Sequence, residues 1–108
     1  MKANKYLPLL KYLAKVKPAE YKAIIKSAPS GLINAIGECC YNVLRGNVPV
    51  TERQKQRLKK YKTLVRAIGD RKLSVKRRRR ALLQKGGSFG ILSTVLPAAI
   101  GLLSNLFN

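Results

Sequence analysis

Histidine and tryptophan are missing from this chain of 108 residues, and acidic residues are scarce. The four acids are Glu20, Glu38, Glu52 and Asp70, and each stands alone in the sequence. Acid–base and metal chemistry both need several titratable groups gathered in one site. The sequence therefore predicts no enzyme activity, no catalytic residue, no metal site and no cofactor.

Cysteine is limited to two adjacent residues, Cys39 and Cys40. Neighbouring cysteines rarely bridge each other, and two cysteines offer no disulfide framework. Free cysteine is among the most often buried residue types. We expect both thiols to be buried on a helix, in a protein that works in a reducing compartment.

Alternation of polar and apolar residues is also missing, so no strand is predicted. Apolar residues instead recur at spacings of three and four, which is typical of amphipathic helices. Prolines and glycines stand where such helices begin and end. The sequence predicts an all-α fold in three parts: a small bundle of about four short helices over residues 1–72, a basic helix or neck over 73–87, and an apolar C-terminal helical tail over 88–108.

The last helix of that bundle is predicted over residues 51–68, behind a capping box formed by Thr51 and Gln54. One face carries apolar residues, and the opposite face carries four cations: Lys55, Lys59, Lys62 and Arg66. Glu52 is the only acid on this helix, so the pairs of opposite charge that usually decorate a soluble helix are missing. We interpret the cationic face as a polyanion-binding surface, against the alternative of an ordinary solvated face.

Positive charge is concentrated just beyond. The chain has a net charge of +19, and residues 51–85 hold 15 basic and 2 acidic residues. Five cations are consecutive: Lys76, Arg77, Arg78, Arg79 and Arg80. Each can displace counterions from a phosphate backbone. No base-reading side chains are interleaved with this run, so double-stranded DNA, or RNA, would be bound through its backbone. The alternatives are a nuclear-localisation signal and an anchor on anionic lipid.

Charge is absent from residues 88–108. Small and polar residues share one side of this segment at helical spacing, and apolar residues hold the other. The pattern predicts a face for a membrane or a partner that includes Phe89, Leu92, Leu96 and Leu103. Two alternatives stay open: a membrane-spanning segment, and a helix packed on the bundle.

The order of a basic run, a Gly-Gly pair and an apolar Pro/Ala/Gly segment resembles a known family. Arg77 to Arg80, Gln84-Lys85-Gly86-Gly87 and Leu96-Pro97-Ala98-Ala99-Ile100-Gly101 resemble the C-terminal half of the adenovirus precursor of core protein mu, also called pX, and similar proteins of adintoviruses and Polinton elements. The resemblance implies that the protein condenses DNA and that a viral cysteine protease cleaves it. The cut would follow the Gly86-Gly87 pair, between Gly87 and Ser88. Alternatively, the glycines only terminate a helix.

The sequence and the resemblance together predict a virus-like core or minor virion protein that binds and condenses double-stranded DNA. It would act in the virion and the host nucleus. Capsid proteins and further copies of the chain are expected as additional partners. Two other classes of protein stay open: a membrane-active or tail-anchored protein, and a host chromatin- or RNA-binding protein.

Overall fold

The computed structural model describes residues 5–46, 50–83, 95–96 and 99. Over these ranges the chain is all-helical, as predicted, with six α-helices and no strand. They are α1 (Leu7–Leu13), α2 (Pro18–Ser27), α3 (Ser30–Leu44), α4 (Glu52–Lys60), α5 (Lys62–Gly69) and α6 (Val75–Leu82). Pro18 is the first residue of α2, where its missing N–H group has no helical partner to lose.

Local sequence accounts for several helix ends. Gly46, just beyond α3, has φ +74°, a backbone conformation that favours glycine. At the start of α4 the Gln54 N–H donates to Thr51 Oγ1 at 3.1 Å, and the Thr51 N–H donates to Gln54 Oε1 at 2.9 Å. The predicted capping box is therefore present. Ser74 caps α6 by accepting a hydrogen bond from the Arg77 N–H at 3.2 Å.

One helix differs from prediction, because residues 51–68 form two helices rather than one. The break lies at Tyr61, whose φ and ψ are −109° and 26°. It separates segments with different surroundings. Every residue of α4 is exposed or half-buried, whereas α5 packs closely on α3. A β-carbon added to Gly69 of α5 would lie only 3.0 Å from the backbone nitrogen of Tyr41, so the two helices nearly touch.

The core is centred on α3, which contacts both α5 and α6. Its largest fully buried side chains are Tyr21, Leu10, Leu13, Ile25, Leu32, Ile33, Ile36, Ile68, Leu82 and Leu96. Burying each aliphatic side chain stabilises the fold by about 1.5–3 kcal/mol. Cys39 and Cys40 are buried on α3 with free thiols, as the sequence predicted.

Three residues of the predicted tail belong to this core. Val95, Leu96 and Ala99 are at most 2 % exposed and lie in the same apolar cluster as buried residues of α1, α2, α3, α5 and α6. Leu96, which was predicted to face a membrane or a partner, thus faces the protein interior. The other predicted tail contacts (Phe89, Leu92, Leu103) and the predicted cleavage residues (Gly86, Gly87, Ser88) lie outside the described residues.

Candidate nucleic-acid interface

The four acids have partners inside the chain. Glu38 accepts a hydrogen bond and forms an ion pair with Arg71 at 2.9 Å, and Asp70 accepts from the Lys72 N–H at 2.9 Å. Glu20 accepts from the hydroxyl of Tyr12, which raises the pKa of that tyrosine. Glu52 lies 4.0 Å from Lys55, and both side chains are mostly exposed. Since such surface pairs contribute only about 0–1 kcal/mol, Lys55 remains available to another anion.

The predicted cationic face of residues 51–68 is solvent-exposed on both helices that replace the single one. Lys55 and Lys59 are exposed on α4, and Lys62 and Arg66 are exposed on α5. On the other side Val65 and Ile68 of α5 are buried, whereas Leu58 of α4 is only half-buried, so the amphipathic pattern is pronounced on α5 and weaker on α4. The helix split changes the geometry of the face but leaves all four cations in solvent.

The basic run of α6 divides into two groups. Lys76, Arg77 and Arg80 are exposed, as contact with phosphate requires. Arg78 is only 8 % exposed, and Arg79 is half-buried. The sequence led us to expect all five cations at the surface, and for these two the structure shows intramolecular partners instead.

Arg78 lies between α6 and α3. Its Nη2 donates to the side-chain oxygen of Asn34, while its Nε has no hydrogen-bond partner among the described residues. The guanidinium lies over Gly37, where an added β-carbon would come within 2.5 Å of Nη1. The absence of a side chain at position 37 leaves the space that this guanidinium occupies beside α3.

Arg79 satisfies the end of α2. Its Nη1 donates to the carbonyl oxygens of Ile25 at 2.8 Å and Ala28 at 2.7 Å. The last carbonyls of a helix lack helical partners and carry partial negative charge, so a cation there is favourable. In return, the Tyr21 hydroxyl of α2 donates to the carbonyl of Leu82 at the end of α6, at 2.6 Å. Arg79 and Tyr21 together fix α6 against α2.

A signal in the sequence identifies Arg78 in retrospect. Val75, Arg78 and Leu82 follow a spacing of three and four, so they share one helical face. Val75 and Leu82 are apolar, and Arg78 lies between them on the side of α6 that packs on the bundle. Reading the run as five equivalent cations ignored this periodicity. No comparable local signal indicates the contacts of Arg79, because its acceptors lie about 50 residues earlier in the chain.

The exposed cations of α4, α5 and α6 belong to neighbouring helices, because α5 contacts both of the others. The molecule measures about 30 Å in each direction. Duplex DNA carries one charge per ~1.7 Å of its axis, so a 30 Å length presents roughly 18 phosphate charges. A 30 Å length of duplex therefore offers more than enough phosphates for the seven predicted contact residues that are exposed, at positions 55, 59, 62, 66, 76, 77 and 80.

Over the described part of the chain, histidine, cysteine and carboxylate side chains form no group of three able to hold a metal ion. No helix found there has both the length and the apolar character needed to cross a membrane. Comparison with protein-family models, curated proteins and solved structures gives no match to this chain.

Proposed function

We propose that this protein binds double-stranded DNA through its phosphate backbone and condenses it, as a core or minor virion protein of a virus-like element. The observation that carries the proposal is the set of exposed cations on α4, α5 and α6, which outnumber the few acids near them. A surface of one sign repels itself, and a polyanion relieves that repulsion.

The expected mechanism is electrostatic. Each lysine or arginine that neutralises a phosphate releases a condensed counterion, and this release provides the free energy of binding. The proposed contacts are Lys55, Lys59, Lys62, Arg66, Lys76, Arg77 and Arg80. Arg78 and Arg79 are left out because their guanidinium groups already bond within the protein. Contacts to phosphates carry no sequence information, so we expect no preference for a base sequence.

The finer architecture belongs to the same proposal. The apolar tail of residues 88–108 would form an amphipathic helix, and a viral cysteine protease would cut the chain between Gly87 and Ser88. A membrane-active role for the tail receives no support from the three tail residues that are described, since Val95, Leu96 and Ala99 are buried in the core.

The test compares two variants of equal net charge. One replaces Lys59, Lys62 and Arg66 with glutamine, and the matched control replaces Lys11, Lys15 and Lys22, which are exposed on and beside α1 and α2. If the proposed face contacts DNA, the first variant should lower the slope of log K against log salt by about 2.7, since each phosphate contributes about 0.9. The control should change it much less. Equal losses would show that only net charge matters and that this face has no special role.

A further inference from the structure

An apolar groove lies between the C-terminal end of α3 and the helices α4 and α5. Its apolar lining consists of Val43, Leu44, Val50, Leu58 and Val65, and it encloses about 700 Å³. This volume falls within the ~300–1,000 Å³ of typical ligand sites. Leu44 is 41 % exposed, which is unusual for a large aliphatic side chain in the described part of the molecule. Val43, Val50 and Leu58 are half-buried and Val65 is buried, so Leu44 is the exposed part of the apolar lining. A mostly apolar groove with a few polar groups at its edge is typical of a binding site.

Lysines form the polar part of the same groove. Lys55, Lys59 and Lys62 line it together with the apolar side chains. Lys55 and Lys59 are four residues apart on α4, which places them about 6 Å apart along the helix, and Lys62 begins α5. An occupant that complements this groove needs an apolar face and several acidic groups spaced along its length.

We propose that this groove binds an acidic amphipathic helix of a partner protein. Apolar side chains at positions i, i+3, i+4 and i+7 of such a helix would fill the apolar lining, in the manner of other helix-in-groove complexes. Glutamates or aspartates flanking that face would recur at the same spacing and would meet the three lysines.

Three other occupants fit the groove less well. A second copy of this chain also carries +19, so it would be repelled by the lysines. The chain's own residues 88–108 contain no acid to pair with them. A fatty acid carries one carboxylate, which leaves two of the three lysines without a partner.

Binding of a partner helix in the groove does not depend on DNA binding, but it would affect DNA binding. Lys55, Lys59 and Lys62 are also proposed phosphate contacts, so the partner helix and DNA would compete for α4 and α5. An acidic partner bound in the groove would in this way prevent the protein from binding DNA until the partner dissociates.

The first experiment uses the full chain and a labelled peptide of about 18 residues, roughly 27 Å long as a helix. The peptide carries leucines on one helical face and glutamates beside them, and its control is a scrambled peptide of identical composition. We expect the amphipathic peptide to bind about tenfold more tightly, because only it can present one apolar face to the groove. Equal binding of the two peptides would overturn the proposal, as would displacement of the amphipathic peptide by equimolar oleate.

The second experiment removes the apolar contact and keeps the charge. Leu44→Gln should weaken peptide binding about tenfold. Tyr12→Gln is the matched control, since Tyr12 is the other exposed large hydrophobic residue of the described chain, at 51 %, and does not line the groove. Unchanged peptide binding by Leu44→Gln would overturn the proposal. DNA binding is measured on the same samples, and its failure in every sample would contradict only the proposed function.

Discussion

Arg79 and Arg80 are neighbours of the same charge with different surroundings. The guanidinium of Arg79 donates to the carbonyls that end α2, whereas Arg80 is exposed. The structural and the proposed DNA-binding roles of the basic run can therefore be separated one residue at a time.

We predict that Arg79→Ala lowers the free energy of unfolding by about 1–3 kcal/mol, because it removes the hydrogen bonds of a charged guanidinium to the part-buried carbonyls of Ile25 and Ala28. Arg80→Ala should change it by less than about 0.5 kcal/mol. The two variants should have the opposite order of effects on DNA binding. Arg80→Ala should lower the slope of log K against log salt by about 0.9, and a folded Arg79→Ala protein should keep the native slope. Urea denaturation and salt titrations check both halves. Equal effects of the two variants on stability would contradict the structural role of Arg79.

The two cysteines give a pH-dependent prediction. Burial raises the pKa of the Cys39 thiol from 9.0 to about 12, with a smaller contribution from the charge of Glu38. Burial raises the pKa of Cys40 as well. Because the folded state disfavours both thiolates, the stability that the neutral thiols contribute is fully present below about pH 9 and is lost as the pH rises towards 12.

Thermal melts between pH 7 and pH 11 test this. Above pH 9 the Tm of the native protein should fall more steeply than the Tm of a variant with Cys39→Ala and Cys40→Ala. The variant should have the lower Tm at pH 7. The comparison removes the contribution of lysine and tyrosine titration, which the two proteins share. Parallel curves would show that the thiols are accessible in the folded state.

At the scale of helices, the sequence predicts what local chemistry controls. The predicted capping box at Thr51 is present, and the serine cap at Ser74 and the glycine after α3 likewise depend only on residues within about one turn. The break at Tyr61 was not predictable in this way. It separates the exposed α4 from α5, whose approach to α3 depends on Gly69 and on residues far away in sequence.

The same limit applies to the candidate interface. The exposure of Lys55, Lys59, Lys62 and Arg66 follows from helical periodicity, and the sequence predicts it correctly. Arg78 is buried against Asn34 and Gly37 of α3, and the contacts of Arg79 depend on where α2 ends. Such tertiary partners are not encoded in the run of arginines itself.

For the C-terminal tail, the structure predicts how a single substitution changes the stability of the protein. Leu96 is fully buried in the core, so Leu96→Ala should destabilise the protein by about 2–5 kcal/mol. Leu44→Ala, at an exposed site, is the matched control and should cost less than about 0.5 kcal/mol. Chemical denaturation of the three proteins measures the difference. Equal stability of native protein and Leu96→Ala would mean that the tail does not pack on the bundle, and would leave the membrane alternative open.

For the whole molecule, net charge and folding oppose each other. A charge of +19 on a body about 30 Å across destabilises the compact state through self-repulsion. Ligands that bind only the folded state stabilise it. The acidic helix proposed for the groove, which needs the folded groove, would therefore raise the Tm of the protein, and would do so less in high salt.

The most direct test of the DNA-binding proposal is the salt dependence of affinity for two duplexes of unrelated sequence. With seven proposed phosphate contacts, the slope of log K against log salt should be about −6 on both duplexes. Between 50 and 200 mM salt, affinity should then fall by about 10³–10⁵. A slope near zero, or a strong preference for one of the two sequences, would contradict the account.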